Sequence, residues 1–288
     1  MDYDPEFSHA AHQVEGVVRM RCSAMLHGLQ AADGLWLPTE WQRGSLPAEY
    51  RKSARVIHDG IDTDAAQPDP HAKIVLNGGA LTLRPGDEVV TFVNRNFEPL
   101  RGFHSFMRAL PLILQARPKA RAILIGGDEN GYDRPPPGGG RWRDFMLREV
   151  GPLLDRSRVH FVGKVPRSVY QAVLQVSALH IYLTYPFVVS WSLLEAMSTG
   201  CRILASATPP VQEFITDGIH GTLVDFFRPD QIAAKAVDIL SNTAAFEQQR
   251  RNARQLMVER CDLKRVCLPA QLELVGSLLR AGCSEAGT

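Results

Sequence analysis

Between residues 88 and 224 the hydrophobic positions fall into short continuous runs, separated by stretches in which apolar residues recur every three or four positions. Continuous apolar runs of roughly four to eight residues mark strands buried on both faces, and the longer period marks amphipathic helices. The pattern predicts strands at 89–93, 122–126, 159–163, 179–183, 203–205 and 222–224, with helices at 102–116, 142–154, 167–176, 190–198 and 211–216 between them. Strict alternation of this kind builds a doubly wound α/β domain around a parallel sheet. Its clearest unit is 177–205: an apolar strand, a turn at Tyr185-Pro186, a helix carrying Leu193, Leu194 and Met197, a stop at Gly200, and a second apolar strand.

Outside this alternation the signals are sparser. Residues 14–32 carry apolar positions at helical spacing, 34–38 and 55–58 read as short strands, and Thr39 reads as the cap of a short helix containing Trp41. Residues 64–87 shift to Pro, Gly, Ala and Asp, a linker leading into a hairpin that turns at Gly78-Gly79. Residues 134–140 are a Pro- and Gly-rich insert, and beyond Pro229 helical segments run to about 279.

With 288 residues, 45% of them apolar, the chain can bury one sizeable core or about one and a half. Its formal net charge of +1 offers no global field for nucleic acid or an anionic membrane. The five cysteines are odd in number and show no CxxC spacing, which argues against a disulfide framework or zinc site and fits a reducing, cytoplasmic setting. The nine histidines form no HxxxH or HExxH pair, and His104, His160 and His180 read as helix-face or strand residues. No apolar run approaches eighteen residues, which excludes a spanning helix and leaves peripheral membrane association open.

Two constellations carry chemistry. In Phe92-Val93-Asn94-Arg95-Asn96-Phe97-Glu98-Pro99-Leu100-Arg101-Gly102, two arginines follow a buried strand and precede a Gly-opened helix; they read either as solvated arginines flanking a turn or as fixed cations for an anionic ligand. In Leu193-Leu194-Glu195-Ala196-Met197, a carboxylate lies in the first turns of a helix whose amino end faces the ligand edge of a parallel sheet. No strand is followed by GxGxxG with an acidic residue about twenty positions on, which disfavours a dehydrogenase or sugar epimerase. Glu213, Asp217-Gly218 and Gly221 read as a helix end and a turn.

These motifs resemble the GT-B glycosyltransferases, specifically the family-4-like retaining group. That group shows two Glu residues, the second in a Leu-Leu-Glu-Ala-Met run ending in Gly; here Glu195 and Gly200 match, but Phe187 stands where the first Glu belongs. Residues 32–39 and 56–63 likewise resemble the last strands of that group's acceptor domain. The implied organisation is an acceptor-domain remnant at 1–63, a linker at 64–87, a donor-binding domain at 88–242, and C-terminal helices at 243–288 crossing back to the acceptor side. On this resemblance the chain starts late in the acceptor domain, and an exposed apolar face is expected near Trp36, Trp41 and the last helix.

The implied reaction moves a sugar from a nucleotide-diphosphate sugar to a hydroxyl of a glycan or lipid-linked acceptor, with retention and without metal or other cofactor. Arg95, Arg101 and Glu195 are the expected catalytic set. Asn94, Arg95, Arg101, Gly102, Lys164, Val165, Phe187, Val189, Ser190 and Glu195 are the expected donor-binding set. No nucleic-acid partner is implied. The alternative is a nucleotide-sugar-binding remnant without turnover.

Overall fold

The computed structural model describes residues 3–7, 11–129 and 131–285, and the chain divides into two compact units. The smaller comprises residues within 1–60 and 263–288, the larger Ile61–Asp262.

In the smaller unit, helix α1 (Ala11–Ala31) precedes strand β1 (Leu35–Leu37), helices α2 (Glu40–Ser45) and α3 (Ala48–Arg51), and strand β2 (Ala54–Val56). β1 and β2 pair in parallel, Leu35 against Ala54 and Leu37 against Val56. Thr39 caps α2 through its hydroxyl, which accepts the Gln42 amide at 3.1 Å. Trp36 is exposed, as are Leu268, Leu272, Val275 and Leu279 of the final helix.

The larger unit opens with the antiparallel hairpin β3 (Ile74–Leu76) and β4 (Leu81–Leu83), joined through Asn77–Gly79. There follow β5 (Val89–Asn96), α4 (Phe103–Ala116), β6 (Arg121–Gly127), α5 (Trp142–Val150), β7 (Val159–Gly163) and α6 (Arg167–Gln175). The second half is β8 (Leu179–Tyr182), α7 (Trp191–Thr199), β9 (Ile203–Ser206), α8 (Pro209–Gln212), β10 (Thr222–Val224), α9 (Pro229–Ser241) and α10 (Glu247–Arg260), before α11 (Leu268–Glu285) returns to the smaller unit. The segment 243–288 is thus shared between the units, with α10 in the larger and α11 in the smaller.

All six strands β5 to β10 are parallel, in the spatial order β10-β9-β8-β5-β6-β7. The connections leave β5 toward β6 on one side and return to β8 on the other, so the loops after β5 and β8 diverge and open a crevice at the carboxyl edge. β5 can occupy the centre because Val89, Val90, Phe92 and Val93 are all buried. On one face Phe92 stacks on Phe106 of α4 with ring centroids 4.3 Å apart, and Phe97 on Phe103 at 4.7 Å. The other face buries Val93, Ile123, Leu193, Leu194 and Met197 with Met257 of α10.

β5 and α8 depart from the sequence pattern, and the helix expected at 142–154 ends at Val150, where a 3-10 turn (Gly151–Leu153) takes over. β5 runs three residues beyond the apolar stretch, to Asn96, because its backbone continues to pair with Gly127 even though the side chains turn polar. The helix expected at 211–216 is the four-residue α8: Pro209 and Pro210, already fixed in φ, start it early, and Glu213 ends it. The larger unit closes on itself where Ile61 N donates to Cys261 O at 2.7 Å and Thr63 Oγ1 donates to Asp262. Cys22 is exposed, Cys201, Cys261 and Cys267 are buried, and among the described residues no helix is long and apolar enough to cross a membrane.

Candidate functional site

The crevice is built by three short segments at the strands' carboxyl ends. After β5 the chain makes a single 3-10 turn (Pro99–Arg101) and passes through Gly102 at φ 71° into α4. Gly102 meets two demands at once: the left-handed backbone, and a space in which any Cβ would overlap Leu183 Cβ. This close approach brings Arg101 against the loop that follows β8.

Arg101 is held by that loop. Its Nη1 donates to Val188 O at 2.8 Å, Tyr182 Oη at 3.2 Å and Thr184 Oγ1 at 3.3 Å. The Phe187 ring lies over the guanidinium, 4.9 Å from Cζ to the centroid. Among the described residues Nε and Nη2 make no hydrogen bond, so one side of the fork is unspent. Buried Asn94 donates through Nδ2 to Arg101 O at 3.3 Å. Ser190 donates its amide to Tyr182 Oη at 2.8 Å and caps α7 by accepting the Ser192 amide. Burial pushes the Tyr182 phenol up, keeping it protonated. Val189 is half-buried against the core.

Glu195, in the second turn of α7, is 7% exposed. It is not a surface residue of that helix: Arg167 pairs with Oε1, and the Tyr170 hydroxyl donates to Oε2. Both donors come from α6, one turn apart, and burial followed by the carboxylate's charge pushes the Tyr170 phenol well up, so it remains a donor. Arg167 is 57% exposed along its side chain and lies over the Tyr170 ring.

Arg95 and Lys164 stand apart from Arg101, on a cavity of about 320 Å³ lined also by Asn96, Glu129, Gly131 and Tyr132. Lys164 Nζ pairs with Glu129 at 2.6 Å, and this hydrogen bond holds the Glu129 carboxyl below its ordinary range. Val165, in the turn before α6, is half-buried against the core.

Several residues the motifs did not single out complete the arrangement. Glu98, lying between the two arginines in sequence, is 3% exposed, and its Oε2 accepts the amides of Tyr132 at 2.7 Å and Asp133 at 3.0 Å. Asp133 Oδ2 in turn accepts the Leu100 amide at 2.6 Å. Burial raises the Glu98 carboxyl despite the two amides. This reciprocal clasp brings the Tyr132 ring within 5.1 Å of Phe187. An acidic residue between two closely spaced cations was the available signal for Glu98; Tyr132, Asp133, Arg167 and Tyr170 had none.

A larger cavity of about 530 Å³ lies at the strands' amino ends, lined by Glu88, Ala178, Arg202 and Arg250 among others, and holds none of the expected site residues. Among the described residues no group of three or more His, Cys, Asp or Glu is placed to hold a metal ion.

Comparison with known proteins bears on this arrangement. Residues 79–256 match the family model for glycosyl transferases group 1, and residues 1–66 that of the glycosyl transferase family 4 group. The chain belongs to the glycosyl transferases group 1 family. Among curated relatives, the D-inositol 3-phosphate glycosyltransferase of Mycobacterium ulcerans is 29% identical over 190 residues. That match takes in 66% of this chain but 38% of the relative, so the chain spans well under half the relative's length. The crystal structure of Anabaena HepE in complex with UDP and glucose superimposes with a TM-score of 0.69 at 16% identity, over 95% of this chain and 69% of HepE. The C-terminal domain of LpcC, a group 1 protein from Francisella tularensis, is matched over 100% of its length and 71% of this chain, with a TM-score of 0.59 at 19% identity. The two structural likenesses establish a shared fold.

Proposed function

We propose that this chain supplies the donor half of a glycosyl transfer, binding a nucleotide-diphosphate sugar at the carboxyl edge of its six-stranded sheet. Transfer to a hydroxyl of a glycan or lipid-linked acceptor, with retention, belongs to the same reading, as does a cytoplasmic site with peripheral membrane attachment where the acceptor is a lipid. The supporting observation is Arg101, whose guanidinium is fixed through Nη1 at the point where the strand order reverses while Nε and Nη2 remain open. As the bond from sugar to diphosphate breaks, negative charge grows on the leaving phosphate, and pre-positioned cations stabilise it without reorganising. Arg101 takes this role, with Arg95 adding positive charge from the neighbouring cavity, while Gly102 lets the loop approach and the amino end of α7 at Ser190 adds its partial positive charge. Glu195 accepts the ribose hydroxyls, and the Lys164–Val165 turn faces the base. No metal or other cofactor is assigned, since fixed cations suit the diphosphate.

The test is calorimetric titration of Arg101→Ala with UDP, GDP and ADP. A charge-assisted contact to phosphate contributes about 1.5–3 kcal/mol, so roughly tenfold or greater weakening is expected. Unchanged affinity would remove Arg101 from the site. Phe187, at the position of an expected carboxylate, favours a second reading in which the site binds donor without turnover; sugar transfer above a heat-killed control would exclude it.

A further inference from the structure

We propose that Phe187 is a positioning residue for Arg101: its ring fixes the guanidinium for the donor's diphosphate without neutralising it. The proposal rests on the assignment of Arg101 to the diphosphate.

Three observations carry it. First, the ring face covers Arg101 at 4.9 Å while the backbone of the next residue, Val188, accepts from Nη1 at 2.8 Å, so a single loop grips the guanidinium from its face and its edge. Second, the loop is itself fixed. Tyr185 N donates to Leu100 O at 2.9 Å, just before Arg101, and Ser190 N donates to Tyr182 Oη, which also accepts from Arg101. Third, the ring is backed by Tyr132 at 5.1 Å, and the Tyr132 amide is held by the buried Glu98 carboxylate. Contacts therefore run unbroken from Glu98 through Tyr132 and Phe187 to Arg101. Gly131 fits this arrangement, because a Cβ there would come within 2.6 Å of Glu98 Oε2.

The chemistry explains why a ring serves here. A carboxylate at 187 would form an ion pair with the guanidinium, and an incoming phosphate would have to compete with it. An aromatic face attracts a cation through its quadrupole and carries no net charge. It restrains the planar fork, lowers the conformational cost of binding, and leaves the whole positive charge for the ligand. The aromatic residue and the arginine thus form a matched pair, and restoring a carboxylate should harm phosphate binding.

The experiment is a double-mutant cycle in the full chain, read by calorimetry with whichever of UDP, GDP and ADP binds most tightly, and with the matching nucleoside monophosphate as control. Phe187→Ala should weaken diphosphate binding three- to tenfold. Phe187→Glu should weaken it as much as Arg101→Ala does, and Phe187→Trp should restore most of what alanine loses. In an Arg101→Ala background, Phe187→Ala should cost less than twofold, since its effect acts through the arginine. The monophosphate should register these changes less. Thermal melts identify any variant that fails to fold, and the tryptophan variant keeps the cycle interpretable if alanine or glutamate does not. Additive losses at 187 and 101, or a glutamate variant that binds as tightly as the parent, would overturn the proposal while leaving Arg101 in the site. An Arg101→Ala variant of unchanged affinity, or no binding of any diphosphate, would overturn both.

Discussion

With Arg167 on one oxygen and Tyr170 on the other, the Glu195 carboxylate still has a lone pair on each oxygen for a ligand hydroxyl. If those hydroxyls belong to ribose, replacing the carboxylate by an amide removes a charged acceptor that only a ribonucleotide uses. Glu195→Gln should therefore bind a ribonucleoside diphosphate about tenfold more weakly, with less than about twofold change for the 2′- or 3′-deoxy form that lacks the partner. Calorimetry with both nucleotides checks this, and equal losses would leave Glu195 a structural tie between α6 and α7. Arg101, Gly102 and Glu195 were legible in the sequence because each sits at a fixed offset from a strand or helix end. Their partners were not. Glu98 meets Tyr132 and Asp133 across more than thirty residues of chain, and Arg167 and Tyr170, one turn apart, look like any helix surface until α6 is laid on α7.

Strand β8 carries a cost that its apolar pattern conceals. His180 is fully buried, its Nδ1 is 2.9 Å from Thr91 Oγ1 on the neighbouring β5, and burial pushes its pKa down to about 3 from the ordinary 6.5. The unfolded chain thus takes up this proton before the folded one. Stability is fully present above about pH 6.5 and is lost as pH falls toward 3, by up to about 1.4 kcal/mol per pH unit. His160 and His220 are lowered too, first by burial, so the comparison that isolates His180 is His180→Gln, whose denaturation free energies should show a slope flatter by about one proton over pH 4–6. An unchanged slope would mean that His180 is protonated in the fold. The six strands were readable because continuous apolar runs have few alternatives in a parallel sheet. What escaped was decided by backbone: β5 gained three polar residues through pairing to β6, and the start of α8 was moved forward by two prolines.

Every residue assigned to donor binding, from Asn94 to Glu195, lies within the larger unit, which has its own core and its own sheet. A fragment spanning 61–262 is accordingly expected to fold cooperatively and to bind nucleoside diphosphate within about threefold of the full chain, as checked by melting and calorimetry. A fragment that folds but does not bind would place an essential ligand contact in the smaller unit. The clasp between Ile61 and Cys261, with Thr63 on Asp262, also fixes the chain's path through space. An excursion of roughly two hundred residues returns to its starting point, and since the cost of closing a loop rises only with the logarithm of its length, inserting residues at the exposed 137–140 turn lengthens the excursion without moving its ends. The larger unit can thus gain or shed surface loops while Gly60 and Leu263, adjacent where the chain departs and returns, keep their spacing.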